Sequence, residues 1–204
     1  MCQVLLYYII SLDIPSNGIV GITGKSGSGK STLLKLFMRF WETSSGRIFI
    51  SGKNINSIRT NSLRDSESLV TQDTHIFKDT IENNLKIAKL NATREEIESA
   101  CKKASIHDFI MSLPKGYETE AGELGDMLSG GEKQRIGAAR AFLHDSEFML
   151  FDEPTSNLDA LNEAVILKSI AEQKDKKAIL LVSHRASTMR IADSIYSVEN
   201  GRKC

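Results

Sequence analysis

The sequence predicts an α/β fold built on a parallel β-sheet, and three observations support this prediction. An apolar run at residues 19–22 leads into a glycine-rich turn and then into an apolar-periodic helix near Lys30. A second apolar run, Phe148–Phe151, ends in two carboxylates, and a third run, Ala178–Val182, follows a helical pattern. Alternating helix and strand from about Gly131 onward is typical of a parallel sheet covered on both faces.

The glycine-rich turn has the sequence GKSGSGKS and matches every fixed position of the phosphate-loop pattern GxxxxGK[ST] between a strand and a helix. Its glycines can adopt backbone angles closed to other residues, so consecutive amide groups can point at phosphate oxygens. The helix N-terminus adds its positive dipole end. We predict that Lys30 reaches the β- and γ-phosphates and that Ser31 ligates Mg²⁺. A turn that only links a strand to a helix is the alternative. The nucleotide-binding residues predicted here are Gly24, Lys25, Ser26, Gly27, Ser28, Gly29, Lys30, Ser31 and Thr32.

Two acidic residues, Asp152 and Glu153, follow the strand at Phe148–Phe151. Ligands bind at this end of the strands in open α/β sheets. Asp152 is predicted to join the Mg²⁺ shell. Glu153 is predicted to orient and polarise an attacking water, because phosphoryl transfer depends on positioning and charge stabilisation. A solvated surface pair of carboxylates is the alternative.

A third motif, Ser129-Gly130-Gly131-Glu132, precedes an apolar-periodic helix and has the form of a capping box. In one interpretation Ser129 only caps this helix. Two consecutive glycines are unnecessary for a cap, however, and they allow a phosphate to approach the backbone closely. Both interpretations can hold, since a capped and exposed helix N-terminus is itself an anion site.

In their order and spacing these three segments resemble the ATP-binding cassette family. The resemblance implies a phosphate-loop NTPase fold with a parallel-sheet RecA-like core, a small antiparallel β subdomain and a helical signature subdomain. It also implies ATP and Mg²⁺ as cofactors, ATP hydrolysis, and a head-to-tail dimer with ATP at the interface. In such a dimer the γ-phosphate held by one copy would contact the other copy's Ser129, Gly130, Gly131 and Glu132, the last standing where the family usually has Gln.

Smaller matches complete the implied site. Gln72 is similar to the family's glutamine that links Mg²⁺ and water to the coupling surface, and His184 is similar to its switch histidine, which contacts the γ-phosphate. Asp159 lies in a loop, Ser156–Asp159, that resembles the segment crossing to the partner subunit. Alone, a glutamine after a strand is usually a solvated loop residue, and such a histidine is more often structural. The residues implied as catalytic are Glu153, His184 and Gln72, and those implied as metal ligands are Ser31, Gln72 and Asp152.

The segment Thr119–Gly125 resembles the exporter-specific loop that touches the coupling helices of a membrane domain, with Ala121 and Leu124 in place of the usual Val and Arg. This resemblance implies the ATP-binding and ATP-hydrolysing domain of an exporter at the cytoplasmic face of the cell membrane. Its implied partners are a second nucleotide-binding domain, identical or different, and a transmembrane domain. The alternative is a soluble, non-transport member of the family that acts in DNA repair, chromosome organisation or translation. An unrelated phosphate-loop switch protein is more distant, because the signature segment disfavours it.

Composition agrees with one catalytic unit. The 204 residues are 41% apolar and 25% charged, with 26 basic and 26 acidic side chains, so a nucleic-acid partner is not expected. The three cysteines, Cys2, Cys101 and Cys204, are far apart and are expected to be free thiols. The apolar run Val4–Ile10 is far shorter than the roughly 20 residues of a membrane-spanning helix.

The sequence predicts a single domain over residues 1–204. Residues from about 1 to 75 and from 130 to 204 are expected to form the catalytic core, and about 76–130 the helical subdomain, with both ends truncated relative to the family. Tyr7 and Tyr8 are interpreted as core or edge residues and not as an adenine-stacking aromatic. Further predicted elements are a strand closed by a turn at Arg47–Gly52, a capped helix opening at Thr93–Glu96 and a final strand within Asp193–Gly201.

Overall fold

The computed structural model describes residues 11–199 together with Arg202 and Lys203. These residues divide into two compact units. The first comprises the described residues up to 67, residues 147–152 and the described residues from 174 onward, and the second comprises 68–146 and 153–173. The predictions for Tyr7, Tyr8 and the run at residues 4–10 lie outside the described residues.

The strands and helices follow the alternation expected from the sequence. The strands are β1 Gly18–Thr23, β2 Phe49–Ile50, β3 Lys53–Asn54, β4 Glu67–Val70, β5 Phe148–Asp152, β6 Ala178–Val182, β7 Ser194–Glu199 and β8 Arg202–Lys203. The helices are α1 Lys30–Phe37, α2 Thr60–Ser66, α3 Ile81–Lys86, α4 Arg94–Lys103, α5 His107–Ser112, α6 Gly130–His144, α7 Ala160–Ala171 and α8 Ala186–Met189. Short 3₁₀ turns lie at Ile55–Ser57, Gly116–Glu118 and Glu123–Gly125.

The first unit is organised by a sheet with strand order β5-β6-β1-β7-β8. Strands β5, β6, β1 and β7 are parallel, and β8 is antiparallel to β7. The central strands are apolar along their length because strands buried on both faces need no polar alternation. Their buried residues include Ile19, Val20, Ile22, Leu150, Phe151, Ile179, Leu180 and Leu181. The predicted α/β fold with a parallel sheet is confirmed.

The small antiparallel ribbon is also present, but it is shorter than the sequence predicted. Phe49 and Ile50 pair with Asn54 and Lys53 through a two-residue turn. Ser51 and Gly52 both have left-handed backbone angles, with φ of 49° and 75°, as a tight hairpin turn requires. The predicted strand at Arg47–Gly52 therefore starts too early, because pairing begins only at Phe49, whereas the turn predicted to close it is present at Ser51 and Gly52.

The second unit is built around helix α6, which packs against α4 and α3. Its buried face includes Ile136, Ala139 and Phe142. Helix α4 opens with the predicted capping box at Thr93, whose hydroxyl accepts from the Glu96 amide while the Glu96 carboxylate accepts from the Thr93 amide. The cap therefore confirms that the sequence specifies where this helix begins.

A buried asparagine, Asn84, ties the segment after β4 to helix α6. Its side-chain amide donates to the carbonyl oxygens of Phe77 and Thr80, at 3.0 Å each, and its Oδ1 accepts from the Phe77 amide at 2.9 Å. Arg140 of α6 donates to Asn84 Oδ1 at 2.9 Å and to the His75 carbonyl at 2.7 Å. Burial lowers the pKa of Arg140 to about 10, so the guanidinium stays charged at neutral pH, held by these oxygens.

Replacement of Asn84 by Ala should lower the free energy of unfolding by about 2–4 kcal/mol, because it leaves backbone groups and part of Arg140 without hydrogen-bond partners. The neighbouring Asn83 is exposed and provides a matched control. Asn83→Ala should change the free energy of unfolding by no more than about 0.5 kcal/mol. Urea denaturation of the three proteins tests this, and equal losses in the two variants would contradict the assigned role of Asn84.

Candidate functional site

The carboxyl ends of three neighbouring strands in the first unit lie level with one another. Asp152 of β5 is paired with Val182 of β6, and Val182 is paired with Ile22 of β1. The amide of Ser183 donates to the Ile22 carbonyl at 3.2 Å, which extends this alignment past the end of β6. The alignment places Asp152, His184 and the start of the phosphate loop at one edge of the sheet.

The phosphate loop has the conformation that its glycines were predicted to allow. Gly24, Gly27 and Gly29 have φ of 154°, 77° and 99°. A Cβ atom on Gly24 would lie 2.3 Å from the Val198 carbonyl oxygen, so this position admits only glycine. Helix α1 begins at Lys30, as predicted, and Gly29 provides no side-chain cap for it. The amides of its first turn are therefore not used by a cap and can bind an anion.

Lys30 lies over this loop. Its Nζ donates to the carbonyl oxygens of Gly24 at 2.8 Å and Lys25 at 2.9 Å. These two bonds hold the ammonium group at the base of the loop. A cation held beside exposed amide groups is the arrangement that phosphate binding requires.

The hydroxyl of Ser28 provides a test of whether the loop fits a phosphate ligand. Ser28 is buried, and its Oγ has no hydrogen-bond partner among the described residues. A buried hydroxyl without a partner carries a desolvation cost. A phosphate oxygen in the loop would provide the missing acceptor, so the residues present fit the phosphate groups of a nucleotide.

In the first unit, Asp152 and His184, predicted as a metal ligand and as the switch histidine, both lie at the carboxyl ends of strands. Asp152 is the last residue of β5 and is partly buried, whereas His184 is exposed two residues after the end of β6. The Ser183 hydroxyl accepts from the Arg185 amide at 3.1 Å, which forms a tight turn around His184. Ser31 lies exposed in the first turn of α1.

Glu153 follows Asp152 along the chain but has an unusual backbone. Its φ is 51°, in the left-handed region, and the residue is only 8% exposed. Such a conformation in a residue other than glycine costs on the order of 1 kcal/mol and requires support from its surroundings. That support comes from the Glu153 carbonyl, which accepts from Gln134 Nε2 at 2.7 Å and from the Ser156 amide at 3.2 Å.

The signature segment forms the predicted capping box. The Ser129 hydroxyl accepts from the Glu132 amide at 3.3 Å, and a Glu132 carboxylate oxygen accepts from the Ser129 amide at 2.7 Å. A Cβ on Gly131 would lie 3.0 Å from the Asn157 carbonyl oxygen, whereas one on Gly130 would meet nothing closer than 3.9 Å. Gly131 is therefore needed for packing inside the second unit. The backbone at Gly130, in contrast, is open enough for a ligand to approach it.

Asp159 and Gln72 have different surroundings. Asp159 caps helix α7, where its Oδ1 accepts from the amides of Leu161 and Asn162, at 3.0 Å each. Hydrogen bonds from the backbone and side chain of Asn162 hold the pKa of the Asp159 carboxyl below its usual value. Gln72 lies exposed, two residues after β4.

The segment resembling the exporter loop packs against the segment that follows Gln72. The Ala121 amide donates to the Asp79 carbonyl and the Ile81 amide donates to the Thr119 carbonyl, at 2.9 Å each. Lys78 and Glu123 form an exposed ion pair at 2.8 Å. These two surface segments therefore form one continuous patch in the second unit.

Sequence reasoning missed Gln134. This residue lies two positions after the signature segment Ser129–Glu132, is only 1% exposed, and uses both ends of its side-chain amide in hydrogen bonds. In the sequence, Gln134 is one of several polar residues in the first turns of a helix, and no pattern marks it as buried or functional.

A family model described as ABC transporter matches residues 7–156. The chain belongs to this family. The match spans the phosphate loop, the signature segment and the carboxylates after β5.

Individual relatives are similar over almost the whole chain. A probable ABC transporter ATP-binding/permease protein from Haemophilus influenzae is 59% identical over 193 residues, which cover 95% of this chain and 35% of that protein. A putative multidrug export ATP-binding/permease protein from Staphylococcus aureus is 45% identical, covering 94% of this chain and 33% of that protein. The chain thus spans about a third of the length of these ABC transporter proteins.

A solved structure has the same fold. The structure of a bacterial Atm1-family ABC exporter with ATP bound superposes with a TM-score of 0.89 at 41% identity, covering 92% of this chain and 33% of that chain. Within the described part of this ABC transporter chain, no helix is both long and apolar enough to cross a membrane.

Replacement of Ser28 by Ala should lower the affinity for ATP without lowering the stability of the fold. Without nucleotide, the free energy of unfolding should stay the same or rise by up to about 1 kcal/mol, because an unsatisfied buried hydroxyl is removed. Affinity for ATP should fall by about 3- to 10-fold, because the phosphate loses one donor. Urea denaturation and calorimetric titration with ATP measure the two effects. A loss of stability with unchanged affinity would show that the hydroxyl has a structural partner instead.

Proposed function

We propose that the chain binds ATP with Mg²⁺ and hydrolyses it as the ATPase unit of an ABC exporter. The observation that carries this proposal is the phosphate loop of Gly24–Ser31. It combines left-handed glycines, an uncapped helix N-terminus and a lysine ammonium held at its base.

The roles proposed for individual residues follow from their chemistry. The loop amides and Lys30 bind the phosphates, and the buried Ser28 hydroxyl donates to a phosphate oxygen. Glu153 accepts a hydrogen bond from the attacking water and so orients it. His184, exposed after β6, contacts the γ-phosphate.

The predicted metal ligands have donor types that suit a hard divalent cation. Ser31, Asp152 and Gln72 offer hydroxyl, carboxylate and amide oxygens, the ligand types that Mg²⁺ prefers alongside phosphate oxygens and water. When bound, Mg²⁺ neutralises charge that develops on the phosphate oxygens. The proposal assigns all three side chains to this cation.

We further propose that two such domains dimerise head to tail, so that the signature segment of one copy contacts ATP bound by the other. The open backbone at Gly130, beside the capped N-terminus of α6, supports this part of the proposal. A membrane domain is the second proposed partner, at the cytoplasmic face of the membrane. The relatives, which are named as ATP-binding/permease and exporter proteins, support it over a soluble role in DNA repair, chromosome organisation or translation.

Hydrolysis is tested by replacing Glu153 with Gln. ATP binding should be retained, because the phosphate contacts survive, while the rate of phosphate release should fall by about 100-fold or more as the water loses its orienting carboxylate. The variant should accumulate an ATP-bound dimer, which size-exclusion chromatography would detect. Phosphate release at the unaltered rate would refute the role of Glu153.

A second pair of variants distinguishes the role of the phosphate loop from the role of the signature segment. Lys30→Ala should weaken ATP binding by about 10-fold or more, because a charged donor to the phosphates is lost. Ser129→Arg should leave binding to one copy nearly intact and reduce hydrolysis only, because the bulky cation blocks closure of the dimer. Titration with a fluorescent ATP analogue and a phosphate-release assay measure both variants.

Lys35→Ala is the matched control for loss of a positive charge, since Lys35 is an exposed lysine on the same helix. Its ATP affinity should equal that of the unaltered protein. If Ser129→Arg lost affinity as severely as Lys30→Ala, the signature segment would act within one subunit, against the proposed dimer.

A further inference from the structure

We propose that Gln134 is a positioning residue for ATP hydrolysis. It binds the backbone of Glu153 to α6, the helix that begins at the signature segment. This inference rests on the proposed function, since it assigns a means of orienting the residue proposed to activate water. Gln134 itself touches neither the nucleotide nor the water in this proposal.

The side chain of Gln134 makes three hydrogen bonds to the chain segment that begins at Glu153. Its Nε2 donates to the Glu153 carbonyl at 2.7 Å and to the Ser156 hydroxyl at 3.1 Å, and its Oε1 accepts from the Asn157 amide at 3.1 Å. The orientation of this amide is unambiguous, because only its NH₂ group can donate to a carbonyl and only its oxygen can accept from an N–H.

Burial makes these hydrogen bonds strong determinants of geometry. Gln134 is 1% exposed, so water cannot replace a partner that is lost. The side chain of Glu153 projects from a backbone with φ of 51°, a conformation that persists only when surrounding contacts impose it. Gln134 supplies the shortest of the hydrogen bonds to this residue's carbonyl.

The same helix begins with the signature segment. Ser129 caps α6, and Gln134 lies just over one turn further along. Gly131 gives a second contact, since the Asn157 carbonyl lies so close that a Cβ would sit 3.0 Å from it. The segment from Glu153 to Asn157 is therefore attached to the first turns of α6, and a displacement of those turns is transmitted to the backbone of Glu153.

The test uses two substitutions of similar length in the complete gene product. Gln134→Glu keeps the shape and the acceptor for the Asn157 amide, but it places a carboxylate oxygen against the Glu153 carbonyl. Gln134→Met keeps the length and removes every hydrogen bond. Gln173→Met is the matched control, because Gln173 is a partly exposed glutamine of the same unit that lies outside this network.

We expect both Gln134 variants to lower kcat for ATP hydrolysis by about 10- to 100-fold, the usual effect of misplacing a reacting group by about 1 Å. KM for ATP should change less than about 3-fold, because phosphate contacts are unaffected, and Gln173→Met should match the unaltered protein. In a Glu153→Gln background, Gln134→Met should lower the residual rate by less than about 2-fold, because the residue through which it acts is already disabled.

Two results would overturn the proposal. One is a wild-type kcat in Gln134→Glu, which would show that shape alone matters. The other is a full additional loss in the Glu153→Gln background, which would show that Gln134 acts on the general fold. If Gln134→Met does not fold, the isosteric Gln134→Glu decides the question. A wild-type protein that does not hydrolyse ATP would refute the proposed function itself, whereas unaltered kcat in the variants of an active protein refutes only the role of Gln134.

Discussion

The parallel register of β5, β6 and β1 is the constraint on which the first unit's candidate site depends. Asp152, Val182 and Ile22 lie level, so the chain leaves all three strands at one edge of the sheet. A slip of one strand by one residue would turn its side chains to the opposite face of the sheet and would break this alignment. The phosphate loop, the carboxylate proposed to bind Mg²⁺ and the histidine His184 therefore lie at the same edge of the sheet.

Helix α6 has the corresponding role in the second unit. Gln134 binds the segment that begins at Glu153, and Arg140 binds the His75 carbonyl and Asn84. Between them Gly137 allows close packing, because a Cβ there would lie 2.4 Å from Thr74 Oγ1. One helix thus holds both the segment after Gln72 and the segment that carries the proposed catalytic carboxylate.

Features encoded by local sequence were predicted, and features that depend on backbone partners were not. The apolar runs predicted β1, β5 and β6. A serine or threonine followed three residues later by glutamate predicted both capping boxes. The ribbon proved shorter than predicted, because only Phe49 and Ile50 pair with the facing strand before the predicted turn. Gln134 was missed because its partners are mainly a carbonyl and an amide, which every residue offers and no sequence pattern marks.

The adjacent carboxylates Asp152 and Glu153 are held by different scaffolds. Asp152 is the last residue of β5 and is fixed by pairing with Val182 in the sheet of the first unit. Glu153 begins the second unit's segment, and its carbonyl is bound by Gln134 of α6. The left-handed conformation at Glu153 thus lies at the peptide where strand β5 ends and the segment bound by Gln134 begins, and such a conformation persists only where surrounding contacts impose it.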